Sequence, residues 1–152
     1  MYQRIADAFA MTDAAWARHQ NPWSVWTRVA ILPALTALLL WRDALGPWLW
    51  PLLGALLAWT WANPRAFPPP ADPQTWSARA VRGERRWLAD RKAPAAARVE
   101  ARALSPALGA PIWLWGVIAE RPWIAFAGAA AVILLKLRFL DAAARMEERE
   151  TC

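Results

Sequence analysis

The chain has 152 residues, 58% of them hydrophobic and only 20% charged, with 13 tryptophans and a formal net charge of +6. A soluble domain of average usage is about 45–50% apolar and about 25% charged. Here the charges are also segregated, absent from residues 29–41 and 122–135 and crowded as arginine into 65–102, which excludes an ordinary water-facing surface along much of the chain and implies a bilayer as part of its solvent.

Residues 1–11 lack the charged-then-apolar order of a signal peptide, and Met11 offers an alternative start. Four apolar stretches follow, at residues 24–41, 45–61, 103–119 and 122–140. At 1.5 Å per residue each covers roughly 26–28 Å as a helix, just enough for a hydrocarbon core of about 30 Å. A soluble bundle is the alternative, but the stretches lack the polar face that a surface helix needs. Trp23, Trp26, Trp41, Trp48, Trp61, Trp113 and Trp123 lie near their ends, where an aromatic belt is expected. The expected fold is therefore all-α: one membrane domain over residues 1–152, with four transmembrane helices in two hairpins and a cytoplasmic amphipathic loop helix.

Orientation follows from arginine. The turns Arg42-Asp43 and Glu120-Arg121 carry no net charge, while almost all other Lys and Arg fall in the N-terminal segment, the basic loop 63–102 and the C-terminal end. The positive-inside rule then places both termini and the loop in the cytoplasm, and the chain in the cytoplasmic (inner) membrane. Pro33-Ala34-Leu35 and Pro106-Ala107-Leu108, each followed by Trp, a charged turn and Pro-Trp, suggest related hairpins; chance among Leu/Ala/Pro/Trp-rich segments explains them equally well.

In the loop, the prolines of residues 63–74 prevent continuous helix. Thr75 is then a plausible N-cap for a helix to about residue 90. Trp76, Ala80, Val81, Trp87 and Leu88 share one arc of that helix and Arg79, Arg82, Arg85 and Arg86 the other. Such a helix either lies in the membrane interface or packs on the cytoplasmic end of the bundle. Glu84 projects into the apolar arc, where a carboxylate needs a cation or a proton; Arg28, Arg65 and His19 are the expected partners.

The densest polar and aromatic cluster runs from Trp16 to Arg28. It holds the only histidine, His19, a residue type able to ligate haem or chlorophyll, though no second ligand is evident. Asn21-Pro22 and Asn63-Pro64 flank the first hairpin on one side and should be neighbours, each Asn-Pro step making a turn by default. The expected patch unites Arg18, His19, Asn21, Arg28, Asn63 and Arg65, closed over by the helix bearing Arg79, Glu84 and Arg85. The run Trp16-Ala-Arg-His19-Gln-Asn21-Pro22-Trp-Ser24-Val-Trp26-Thr-Arg28, with Asn63-Pro64-Arg65-Ala-Phe67-Pro68 and Trp76 through Arg85, resembles an uncharacterised family of small bacterial and archaeal membrane proteins, a domain of unknown function. The resemblance covers roughly residues 16–91, fades in the second hairpin, and implies that the cytoplasmic motifs are the signature; it implies no activity.

Two functions from different classes fit. The first is a scaffold or accessory (assembly) subunit of a larger membrane complex, pairing with a protein partner or a second copy through the small faces at Gly54/Ala58 and Ala125/Gly128/Ala129. The alternative is binding, or enzymatic handling, of an anionic lipid or phosphate headgroup at the Arg/His/Asn patch, with His19 or Glu84 as acid or base. No nucleophile motif or glycine-rich phosphate loop supports catalysis. A transporter is disfavoured because residues 29–41, 45–61 and 104–119 hold no ionisable residue. The lone Cys152 forms neither an internal disulfide nor a zinc site, and its position is not a prenylation signal. No cofactor or metal is expected, and no nucleic acid, since no recognition module accompanies the charge.

Overall fold

The structure is a computed structural model that describes residues 11–89 and 105–151. Arg91, Lys92, Arg98, Arg102 and the start of the third apolar stretch lie outside these residues.

Local chemistry sets most of the helix ends. Helix α1 (Asp13–His19) is capped by Thr12, whose hydroxyl accepts from Ala15 N at 3.2 Å. Asn21 caps α2 (Pro22–Val29) by accepting from Trp23 N at 2.9 Å, and Pro22 takes a first-turn position where its missing N–H costs nothing. Helix α3 (Ile31–Leu40) follows after a one-residue break at Ala30. The reason for the break is Pro33, which has no N–H to offer the Val29 carbonyl. A short α4 (Arg42–Leu45) and a 3-10 turn (Gly46–Trp48) reverse the chain, with Gly46 at φ 50°. Helix α5 (Leu49–Ala66) returns and ends before the proline-rich brace. Thr75 does cap α6 (Trp76–Ala89): its carbonyl accepts from Arg79 N at 3.1 Å and its hydroxyl from Ala78 N at 3.4 Å.

The second hairpin departs from expectation. Among the described residues its first arm consists of a 3-10 turn (Pro106–Leu108) and the nine-residue α7 (Ala110–Ile118), shorter than residues 103–119 suggest. Its return arm, α8 (Pro122–Thr151), runs 30 residues without a break and so extends well past residue 140. Hydropathy sees where apolarity ends, not where the helix ends. Two segments, Pro22–Leu40 and Pro122–Glu148, are long and apolar enough to cross a membrane. The other two stretches do not reach that standard among the described residues, because α5 finishes on Asn63-Pro64-Arg65 and α7 is short. The described residues are all helix, turn and coil. Pro33 lies within a helix whereas Pro106 opens a 3-10 turn, so the matched sequence segments do not share a conformation.

Helix α8 is the spine. Its first half packs on α7 and its second half carries α6. A Cβ on Gly116 would overlap Ala125 backbone, one on Gly128 would overlap Trp113 backbone, and one on Gly83 of α6 would overlap the Ala143 carbonyl. Ala125, Ala129, Ala143 and Ala144 are buried along these seams. The small face at Ala125/Gly128/Ala129 is therefore used inside the chain. Of the two placements open to the loop helix, packing on the bundle is the one observed. Ala80 meets Phe139, Leu140 and Ala144, and Trp87 meets Phe139 edge-on at 5.3 Å. Three arginines grip the far end of α8, with Arg79 on Glu148 at 2.9 Å, Arg82 on Glu147 at 3.0 Å and Arg86 on Glu147 at 2.8 Å.

At the opposite end, Arg42 pairs with Glu120 and ties the two turns together. Six of the seven belt tryptophans are exposed, Trp48 and Trp123 most of all. Trp113 is the exception. It turns inward, and its Nε1 donates to the buried Thr36 hydroxyl at 2.9 Å, joining the hairpins mid-bundle.

Candidate functional site

The start of α2 and the end of α5 do meet, and a polar relay joins them. His19 is 6% exposed and uses both ring nitrogens. Arg28 Nη1 lies 2.9 Å from Nε2, and Ser24 Oγ lies 2.8 Å from Nδ1. A guanidinium can only donate, so Nε2 must accept and the ring proton sits on Nδ1, facing Ser24. The direction of every later bond follows. Ser24 Oγ donates to Asn63 Oδ1 at 3.0 Å, Asn63 Nδ2 donates to Thr27 Oγ1 at 2.7 Å, and Thr27 donates to the Trp23 carbonyl at 2.6 Å. Burial above all, then the charges of Arg28 and Lys136, lower the His19 pKa from 6.5 to about 3. The imidazole is thus a neutral structural link. Its Nε2 lone pair is engaged by Arg28, so haem or a pigment metal would have to displace that guanidinium.

The other patch residues are spent on backbone ties. Arg18 Nη1 donates to the Arg65 carbonyl at 3.2 Å, and Asn21 Nδ2 donates to the Pro68 carbonyl at 3.0 Å. Arg65 donates to the Trp61 carbonyl at 2.6 Å and lies over the Trp61 ring. These bonds fold the proline brace back against α1 and α2. The loop helix does not close squarely over the Asn21/Asn63 pair; it lies along α8. It meets the start of the first hairpin where Ser77 Oγ donates to the Gln20 carbonyl at 2.9 Å and Trp76 stacks on Trp26. Arg79 faces Glu148, and Arg85 pairs with Asp13 and lies over Trp16, so neither joins the His19 group.

Glu84 does point inward from α6, but its ion-pair partner is Lys136 of α8, not the expected Arg28, Arg65 or His19. Arg28 lies close enough to feel the carboxylate electrostatically. Lys136 interrupts an apolar stretch of α8, as a charge that is functional or paired usually does. Its partner was not readable because 52 residues separate it from Glu84.

These groups line a cavity of about 450 Å³ between α2, α3, α6 and α8. Its polar lining is His19, Arg28, Glu84 and Lys136, and the remainder of the wall is aliphatic: Val25, Val29, Leu32, Val81, Val132, Ile133, Leu137 and Leu140. Leu32 is one turn beyond Arg28 and Val132 one turn before Lys136, while Val25 and Leu140 lie about one turn away on the other side, so aliphatics border the charged level in both directions. With Arg28 and Lys136 cationic, Glu84 anionic and His19 neutral, the polar lining carries a net positive charge. The described residues contain no group of three or more His, Cys, Asp or Glu able to hold a metal ion.

The model of a family of unknown function, DUF6653, matches residues 1–150, and the chain belongs to that family. The match extends past residue 91 through the second hairpin. No curated protein and no solved structure matches the chain.

Proposed function

We propose that this family member is a four-pass protein of the cytoplasmic membrane, with both termini and the basic loop on the cytoplasmic side, and that it binds an anionic amphiphile in the cavity between its hairpins. The observation that carries the binding reading is the cavity itself, lined by two cations and one carboxylate together with aliphatic side chains. A ligand with a negative head and an acyl chain matches both kinds of lining, and 450 Å³ falls within the roughly 300–1,000 Å³ of small-molecule sites.

Several features support the membrane placement. Only 17% of the Pro22–Leu40 window and 28% of the Pro122–Glu148 window is buried, whereas the core helix of a soluble protein is mostly buried. Trp48, Trp50, Leu57 and Ile118 are each about 70% exposed or more, as lipid-facing residues are. The 3-10 turn with the apolar part of α5 spans roughly 27 Å, and the shorter arm with α7 roughly 20 Å; local thinning of the bilayer absorbs such a mismatch. Cysteine introduced at position 43 should react with an impermeant reagent added outside intact cells, and cysteine at 145 should not. The reverse pattern overturns the orientation.

The binding reading is tested on lipid retained after gentle detergent extraction. The wild-type protein should carry anionic lipid, and a double Arg28→Gln, Lys136→Gln variant should lose most of it. Equal retention in both rules out the cavity. A scaffold role also has a specific observation in its favour: nothing lies within 4 Å of a Cβ built on Gly54, and Ala55 and Ala58 beside it are exposed. A partner helix or a second copy fits that face of α5, and a co-purified subunit lost in Gly54→Leu would identify it.

A further inference from the structure

We propose that Glu84 sets the charge of the headgroup admitted, making the cavity selective for a monoanionic phosphodiester lipid over a dianionic phosphomonoester. The inference rests on the amphiphile-binding reading above and adds to it the identity of the selecting residue. The charges lining the cavity come from three of the elements around it, Arg28 from α2, Glu84 from α6 and Lys136 from α8, while α3 contributes Leu32 and His19 at the end of α1 is uncharged, its Nε2 accepting from Arg28. Two cations and one fixed carboxylate leave room for one negative charge. A monoanion neutralises the group. A dianion leaves one charge buried without a counter-ion, and such a charge is costly away from water.

Glu84 cannot readily swing aside to relieve this. Its neighbour Gly83 is wedged against the Ala143 carbonyl so closely that no Cβ fits, and Val81 is 2% exposed. The side chain of Glu84 is itself only 17% exposed. The docking of α6 on α8 fixes the backbone beneath Glu84, and the ion pair with Lys136 holds its carboxylate. It also repels each ligand in proportion to that ligand's charge, so removing it helps a dianion more than a monoanion.

The experiment titrates the full chain in a neutral detergent, at pH 8, with dioctanoyl phosphatidylglycerol and with dioctanoyl phosphatidic acid. The monoester is largely dianionic there, since its second pKa is about 6. Wild type should bind the phosphodiester about tenfold or more tightly. Glu84→Gln should shift the ratio of the two dissociation constants toward the monoester by about tenfold or more. The double variant Glu84→Gln, Lys136→Gln, which again offers room for one negative charge, should restore the preference and shows that a loss of folding is not the cause. A ratio unchanged in Glu84→Gln, while both lipids still bind and Arg28→Gln weakens them, overturns the selector role and leaves the lipid site standing. Failure of either lipid to bind wild type, or binding indifferent to Arg28→Gln, overturns the underlying reading instead.

Discussion

The two hairpins are held together by different chemistry. At its Asn21/Asn63 end the first is joined by hydrogen bonds, in the relay from Arg28 through His19, Ser24, Asn63 and Thr27 to the Trp23 carbonyl. The second, with the loop helix, is joined by close backbone approach at Gly116, Gly128 and Gly83. A relay specifies register through direction, because each group must donate to the next. A glycine seam specifies register through shape, because only one alignment lets two backbones touch. Both suit an apolar solvent, in which packing and interhelical hydrogen bonds replace the hydrophobic driving force between helices.

The contrast is sharpest under alanine. Gly128→Ala and Gly116→Ala force a methyl into facing backbone and should destabilise by about 1–3 kcal/mol or more, read as a lower melting temperature in detergent. Gly83→Ala should instead release α6, exposing the loop to protease while α7 and α8 stay paired. Loss of the seam without loop exposure would mean that the Arg–Glu grip on Glu147 and Glu148 is sufficient to hold α6.

Acid should attack the other hairpin. His19 is neutral in the fold, with its pKa lowered from 6.5 to about 3, and in the unfolded chain it protonates at its ordinary value. The unfolded state therefore takes up more protons between these values. The stability contributed by the neutral ring is fully present above pH 6.5 and is lost as pH falls toward 3, by at most about 1.4 kcal/mol per unit. Melting measured between pH 6.5 and 5 should fall in wild type and change less in His19→Gln. An equal decline in both would show that the relay does not couple to protons.

A smaller effect is expected where the hairpins meet. Trp113→Phe removes one donor from Thr36, which keeps its own bond to the Leu32 carbonyl at 2.7 Å. The cost should be about 0.5–1.5 kcal/mol. The smallest change, and of opposite sign, is Gly54→Ala. With nothing near the new methyl and a helical backbone, it should be neutral or stabilising by up to about 1 kcal/mol in the isolated protein. Measurable destabilisation would mean that the α5 face is already occupied.

Parts of this arrangement could be read before any coordinates. Thr75 as a cap, the helix after it, the meeting of the Asn63 segment with the Asn21 segment and the inward turn of Glu84 all follow from local rules of capping, periodicity and hairpin geometry. Belonging to a family of unknown function was also legible, in the motifs from Trp16 to Arg85. Other features were not legible, for a common reason. Arg18, Asn21 and Arg65 were expected in one patch, but side-chain type does not reveal that each donates to a backbone carbonyl. Lys136 was absent from the expected site because its partner lies across the fold.

The sequence by itself determined the helical class, the segregation of arginine and the turn residues, since each depends on a few neighbouring residues and their solvent preference; of the four spans it suggested, two segments are long and apolar enough to cross a membrane. Only the tertiary structure decided that α6 lies along α8, that Glu84 faces Lys136, that Trp113 turns inward to Thr36, and that a cavity opens between α2, α3, α6 and α8. These depend on which backbones can approach most closely. That is a matter of where Gly83, Gly116 and Gly128 meet their opposite surfaces, and composition is the same whether a glycine is wedged, as at position 83, or open, as at position 54.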